Sequence, residues 1–321
     1  MSPTPLADRH AESRLKLAAA TSKAVRHMWL QTDRSNLLSS WTGLLGGVLA
    51  VVAASQMSAA QASEPWLEQL LGNDPGQPQS DRLNPASLVG FDGTGRPLGG
   101  VLMAPLWSAL RLVTAGAPIV QAMARGQLLL DAVVRTAIAD TGRAADSVAM
   151  ISRPAVTSYI RVVEAGACSR CLILAGKEYG VSTAFARHPR CHCGMEPVTR
   201  EHRPTPQNPK TVVDDMSAEQ RRATFGEAGA KAIAEGADPA QVVNARRGMT
   251  SATAYGRTLQ TTSEGVTRRG LAGKRLGDFQ KVPGQRLSIA QRPRLMPEEI
   301  FRIADDRAHA VRLLRLHGYL Y

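Results

Sequence analysis

The chain has 321 residues and a formal net charge of +12, with 44% apolar and only 4% aromatic residues. The apolar share is enough for a packed core, which excludes a wholly disordered chain, and the length suits one large domain or two small ones. A balance this basic points toward a polyanion such as nucleic acid; its other source is a genome rich in G and C, which enriches Arg and Ala everywhere.

Residues 1–34 are polar and basic and read as a flexible N-terminal arm with one amphipathic stretch at Leu15–Val25. Residues 35–166 read as a helical scaffold. No charged residue lies between Ser35 and Ser63, and Trp41–Ala54 reads WTGLLGGVLAVVAA. As a membrane span this centre is short and is broken by Thr42, Gly43, Gly46 and Gly47. "SAAQA" resembles a signal-peptide cleavage site, but the 34 preceding residues are long for an n-region. The reading is a buried Ala-rich helix over 37–62, and no membrane partner. Residues 72–99, rich in Gly, Pro, Asn, Asp and Ser, form a long loop. From Val101 the pattern is helical again: one helix stopped by Gly116, one or two more interrupted near Gly126 and ended by Gly142, and a last one from Pro154 to Gly166.

A cysteine-rich module occupies 167–200, and a Pro-rich linker, with Pro204, Pro206 and Pro209, occupies 201–216. Residues 217–249 form a short helical segment. Ser217 and Gln220 fit a capping box for a helix that runs on to Gly236, and Asp238-Pro239 opens the next. Residues 250–296 lose all periodicity and carry Arg268, Arg269, Lys274, Arg275 and Lys281, among other cations; they read as a disordered basic segment. Residues 297–321 form a C-terminal helix whose acidic start and basic end suit the helix dipole. The fold class is therefore mainly α, with a small α+β, zinc-knuckle-like Cys-rich module and flexible basic N- and C-terminal segments.

All four cysteines lie in that module, as the pairs Cys168/Cys171 (C-x-x-C) and Cys191/Cys193 (C-x-C). The pairs are about 19 residues apart, near the spacing of zinc ribbons. Four thiolates can surround one Zn²⁺ tetrahedrally, a closed and therefore structural site, and His188 or His192 can replace one of them. Neighbouring side chains of a strand point to opposite faces, so the C-x-C pair needs a turn at His192. Arg170, Arg187 and Arg190 would offset the thiolate charge and can also face phosphate. The alternatives are disulfide or redox pairs, which need an oxidising compartment, structural thiols without metal, and a Cys191 nucleophile with His188 as its base. G-x-x-x-x-G-K-[ST], G-x-S-x-G and H-E-x-x-H are all absent, so the enzyme classes they mark are excluded and no catalytic residue is assigned.

Taken together, C-x-x-C, then L-x-x-x-G-K-x-Y (Leu172, Gly176, Lys177, Tyr179), then F-x-R-H-P-x-C-x-C (Phe185, Arg187, His188, Pro189, Cys191, Cys193) resembles the Mu F-like phage head morphogenesis, or minor capsid, family, in the form found in tailed phages of actinobacteria. The resemblance covers about 158–198. His192 departs from it, since relatives commonly carry Asp or Arg there. The resemblance implies a minor virion protein of the phage head, assembled in the host cytoplasm near the portal, with portal and major capsid proteins as partners. It also implies non-specific contact with packaged DNA, for which the candidates are Arg170, Arg187, Arg190, Arg268, Arg269, Lys274, Arg275 and Lys281. Relatives are also labelled capsid maturation proteases, which makes cleavage of the major capsid or scaffold protein the alternative function.

Overall fold

The computed structural model describes residues 4–72, 82–163, 166–191, 193–254, 257–284 and 286–321. They fall into two units, one of residues 1–167 and 175–207, the other of residues 168–174 and 208–321.

The first unit opens with α1, Pro5–Leu30, started by Thr4, whose hydroxyl accepts from the Ala7 N–H, and by a proline at the first helical positions. This corrects the expected flexible arm. The stripe Ala7, Ala11, Ala18, Val25 and Trp29 is buried, so the segment is held by its apolar face whatever its overall charge. Next come α2 (Leu37–Gln61) and α3 (Ser63–Leu71). In α2 one face is buried through Trp41, Val48 and Val52, while Gly43 and Gly46 stand in open space. The expected buried helix thus holds for one face only. By length and composition Leu37–Leu71 is apolar and long enough to cross a membrane.

Residues 73–81 of the expected loop lie outside the described residues. Its remainder is pinned to α2: the Gln56 amide donates to Phe91 O (2.7 Å) and accepts from Gly90 N (2.9 Å). Two short helices follow, α4 (Leu98–Val101) and α5 (Ala104–Thr114), and then α6, Ile119–Ile151. The sequence pattern predicts an interruption near Gly126 and an end at Gly142, yet α6 runs through both. These glycines are there for closeness. A Cβ on Gly126 would lie 2.6 Å from Trp29 Cζ2, and one on Gly142 would lie 2.5 Å from Arg14 Cδ. Trp29 and Trp41 meet edge to face at 4.8 Å, and their indole N–H groups donate to Met123 O and Leu102 O. Below this core Asp146, wholly buried, accepts from Arg14 (2.6 Å), His10 (2.9 Å) and Ser63 (2.7 Å). Burial opposes its charge, but His10 and Arg14 outweigh that and hold the carboxyl well below its ordinary range.

After α6 the chain turns into β1 (Ser158–Val162), where a last scaffold helix was expected. The run Ser-Tyr-Ile-Arg-Val-Val is rich in β-branched and aromatic residues, and pairing decides it. The segment is the centre of a three-stranded antiparallel sheet. A short helix, α7 (Ser169–Leu172), separates β1 from β2 (Glu178–Gly180), and β3 (Gly194–Val198) completes the order β2-β1-β3.

The second unit, to which α7 belongs, continues with the short helices α8 (Pro209–Asp214), α9 (Ala218–Phe225), α10 (Glu227–Ala234) and α11 (Pro239–Ala245). The capping box of Ser217 and Gln220 is present, but the helix it starts ends at Gly226, whose φ of +74° few other residues adopt. Residues 250–296 are not disordered where described. Strands β4 (Met249–Ala254) and β5 (Arg257–Thr262) form a hairpin, β5 pairs with β8 (Arg294–Leu295), and between them lie α12 (Leu271–Leu276) and the pair β6 (Phe279–Lys281) and β7 (Ser288–Ala290). The segment looked structureless because its strands are built from Thr, Ser and Gln. Their order comes from distant partners, such as Glu299, which accepts from Gln260 N, and Met296, whose N–H donates to Gln260 O. The C-terminal segment is two helices, α13 (Pro297–Ile303) and α14 (Arg307–Leu316), rather than one.

Two predictions follow from this packing. Gly126→Ala, despite the better helix propensity of alanine, lowers stability by about 1–3 kcal/mol through overpacking against Trp29 and the Pro105 carbonyl. Gly46→Ala, in open space, raises it by about 0.5–1 kcal/mol. Urea unfolding of both variants reads the contrast. The second concerns His317, pushed down from 6.5 to about 4 by burial first and by the Arg294 charge second. The unfolded chain binds this proton from about pH 6.5 downward, while the folded chain resists until about pH 4. Stability therefore falls as the pH drops through that interval and levels off below it. His317→Asn should show a shallower fall in urea midpoint between pH 7 and pH 4 than the parent chain.

Candidate metal centre

The C-x-x-C pair is placed by α7. Cys168 is the residue that caps the helix and Cys171 lies in its first turn, where Cys171 N–H donates to Cys168 O at 2.9 Å. The second pair sits at the entrance to β3. There a tight turn closes from Cys191 N–H to His188 O at 3.0 Å, with Arg190 in the left-handed region at φ +60°. The turn expected at His192 lies outside the described residues; the one that is seen comes just before it.

Two overlapping groups result. Cys168, Cys171 and His188 offer ligand atoms within 4.8 Å of one another, and so do Cys171, Cys191 and Cys193. Cys171 belongs to both. The residues predicted as metal ligands are thus brought together, with the alternative ligand His188 among them, and the cluster can hold a metal ion. Cys171, Cys191 and Cys193 are buried and Cys168 is exposed. His188 Nδ1 lies 2.8 Å from Pro189 O; a carbonyl only accepts, so Nδ1 carries the hydrogen and Nε2 the lone pair that a metal takes.

The charge around the thiols comes from residues the sequence reading did not name. Arg161, buried on β1, donates from Nη2 to Cys193 Sγ at 3.3 Å. Its guanidinium lies 4.4 Å from the centre of the Phe185 ring, which itself packs on Tyr159 and Tyr179. Arg143, buried on α6, donates to the carbonyls of Cys191 (2.9 Å) and Cys193 (3.2 Å) and to Asp140. By contrast Arg187 and Arg190, expected to offset the thiolates, pair with Asp140 and Asp131. A strand reading of 158–162 was the missing signal, because it places Arg161 opposite Met195, two residues from Cys193. Gly176 is also explained. Its φ is +70°, and a side chain there would collide with the backbone of Gln207, whose amide group bonds both N–H and C=O of Val163.

Comparison with protein-family models, with curated proteins and with solved structures finds no match to this chain. The chemistry is therefore read from the geometry alone. Soft thiolates with one imidazole suit a thiophilic ion.

The remaining candidates are distributed differently. Arg275 donates to the carbonyls of Arg315 and Leu320 and so caps α14, and Arg268 stacks over Phe279 at 4.9 Å. Arg170, Arg269, Lys274 and Lys281 are exposed and make no ion pair among the described residues. For a protease, Ser63, His10 and Asp146 do meet. However, Ser63 and His10 both bond the carboxylate, and Ser63 is fully buried, so the histidine is not set as a base on the hydroxyl.

Protein purified without chelator should carry about one metal ion per chain by elemental analysis. Cys171→Ser, which removes the thiol common to both groups, should lose it, and Arg161→Leu should weaken metal affinity about ten- to a hundredfold. Unchanged metal content in Cys171→Ser contradicts the assignment.

Proposed function

We propose that this chain is a minor capsid, or head morphogenesis, protein of a tailed phage. It assembles in the host cytoplasm, is carried in the head near the portal, and touches packaged DNA without reading its sequence. The observation that carries the reading is the convergence of the motif's own residues. The two cysteine pairs and His188 meet at one cluster, Phe185 backs the arginine that faces Cys193, and Gly176 fits a place that admits no side chain. A motif whose members each have a physical duty in one small module supports the resemblance to Mu F-like head proteins. In this reading the ion is zinc, held for structure, and the portal and major capsid proteins are the partners. The net charge of +12 and the exposed cations Arg170, Arg269, Lys274 and Lys281 support phosphate contact.

Mass spectrometry of purified phage particles tests the reading. The chain should be present in few copies, and particles should fail to assemble normally when its gene is removed. Its absence from particles, with normal heads formed without it, contradicts the proposal. In DNA binding, Lys274→Ala with Lys281→Ala should weaken affinity about equally for all sequences and reduce the salt slope by about one per lost phosphate contact.

A further inference from the structure

Of the four tryptophans, Trp29, Trp41 and Trp66 are buried, whereas Trp107 on α5 is 45% exposed. The indole N–H groups of Trp29 and Trp41 donate to carbonyls, and Trp66 stacks on His10. That of Trp107 makes no hydrogen bond among the described residues. A single apolar side chain in water needs no explanation, but this one is not alone. With Ala104, Leu110, Arg111, Thr114 and Leu129 it lines a groove of about 820 Å³ in the first unit. Leu128, next to Leu129, and Val113 are exposed as well. Ala104, Trp107, Arg111 and Thr114 recur at helical spacing and so form one stripe along α5, roughly 15 Å long at about 1.5 Å per residue.

The charge of this face has one sign. Arg111 stands in the groove, and Arg125 lies one turn before Leu129 on α6; both are exposed and neither makes an ion pair among the described residues. Other exposed arginines of this unit, such as Arg96 and Arg190, do meet a carboxylate. No acid occurs between Asp92 and Asp131, and these two are already engaged, by Arg96 and by Ser22, Arg135 and Arg190. The complement of such a face is apolar and negatively charged.

We propose that the α5 groove docks an amphipathic helix of a partner protein, with its apolar side chains over Trp107, Leu110 and Leu129 and an Asp or Glu at its edge facing Arg111 and Arg125. A stripe at helical spacing is matched by the side chains of a second helix laid beside it, and Trp and Arg are the residues that carry most of the energy in such contacts. Two cations suit one or two carboxylates. An anionic membrane is met by clusters of about four to eight basic residues, and a nucleic-acid backbone by a cation for each phosphate contact. The proposal goes beyond the reading above and depends neither on it nor on the metal cluster.

The full chain is titrated, by fluorescence anisotropy at low salt, with two labelled helical peptides of about four turns. Both carry a leucine stripe at i, i+3, i+4 and i+7; one has glutamate beside the stripe and the other lysine. Flotation with phosphatidylglycerol vesicles and sedimentation of the chain alone are read in parallel. The glutamate peptide should bind at least tenfold more tightly than the lysine peptide. The basic net charge of the chain favours the same order, so two variants decide. Trp107→Ala, which leaves the charge unchanged, should weaken the glutamate peptide at least fivefold. Arg111→Glu with Arg125→Glu, which removes no ion pair among the described residues, should bring the lysine peptide to at least equal affinity. All three side chains are exposed, so both variants should keep the helical circular dichroism of the parent. No binding of either peptide, equal affinity of the two for the parent, no loss in Trp107→Ala, or an unaltered preference in the charge variant overturns the proposal. So does binding of vesicles alone, which assigns the face to lipid, or a dimer that Trp107→Ala dissolves, which assigns it to a second copy.

Discussion

Arg161 donates to the sulfur of Cys193 from the buried middle strand of a small sheet. That contact is the constraint around which the cysteine module is arranged. A buried guanidinium needs an electron-rich partner, and the Cys193 sulfur supplies one. The strand that carries Arg161 pairs with β3, which follows directly from Cys193. Phe185 covers the other side of the guanidinium. Loss of the cation therefore reaches both the sheet and the cluster.

The helical scaffold supplies the second constraint, which is position. Arg143 ties the carbonyls of Cys191 and Cys193 to α6, and α6 in turn is fixed against α1 by two glycines and by the buried Asp146–Arg14 pair. A long helix that is close-packed along one side is a rigid base, and a turn such as His188–Cys191 keeps its shape when anchored to one. The basic residues of α1 are part of this arrangement. Arg14 balances a buried acid, and so is not a spare charge for an external polyanion.

Much of this was legible in the sequence. The helix at 37–62, the capping box at Ser217, the Asp238 cap and the metal-type spacing of the thiols all follow from local rules, and the structure has them. The failures share one cause. Gly126 and Gly142 looked like helix breaks because the bulky partners that require them, Trp29 and Arg14, lie about a hundred or more residues earlier in the chain. Ser158–Val162 looked helical because its two strand partners lie beyond the first cysteine pair. The Thr-rich hairpin at 249–262 looked structureless because its order depends on β8 and α13. Arg187 and Arg190 looked available because sequence cannot show that Asp140 and Asp131 face them. In each case a distant residue decided a local question.

The same electrostatic rule separates the two units. Among the described residues, each buried arginine of the first unit meets a carboxylate or a thiol, whereas in the second Arg294 is held by neutral acceptors. The central claim, however, is that the thiols converge on an ion. X-ray absorption at the metal edge of the purified protein addresses it most directly. The account predicts a first shell of three or four sulfurs at about 2.3 Å, with at most one nitrogen at about 2.0–2.1 Å. A shell dominated by oxygen or nitrogen, with no sulfur at that distance, contradicts it.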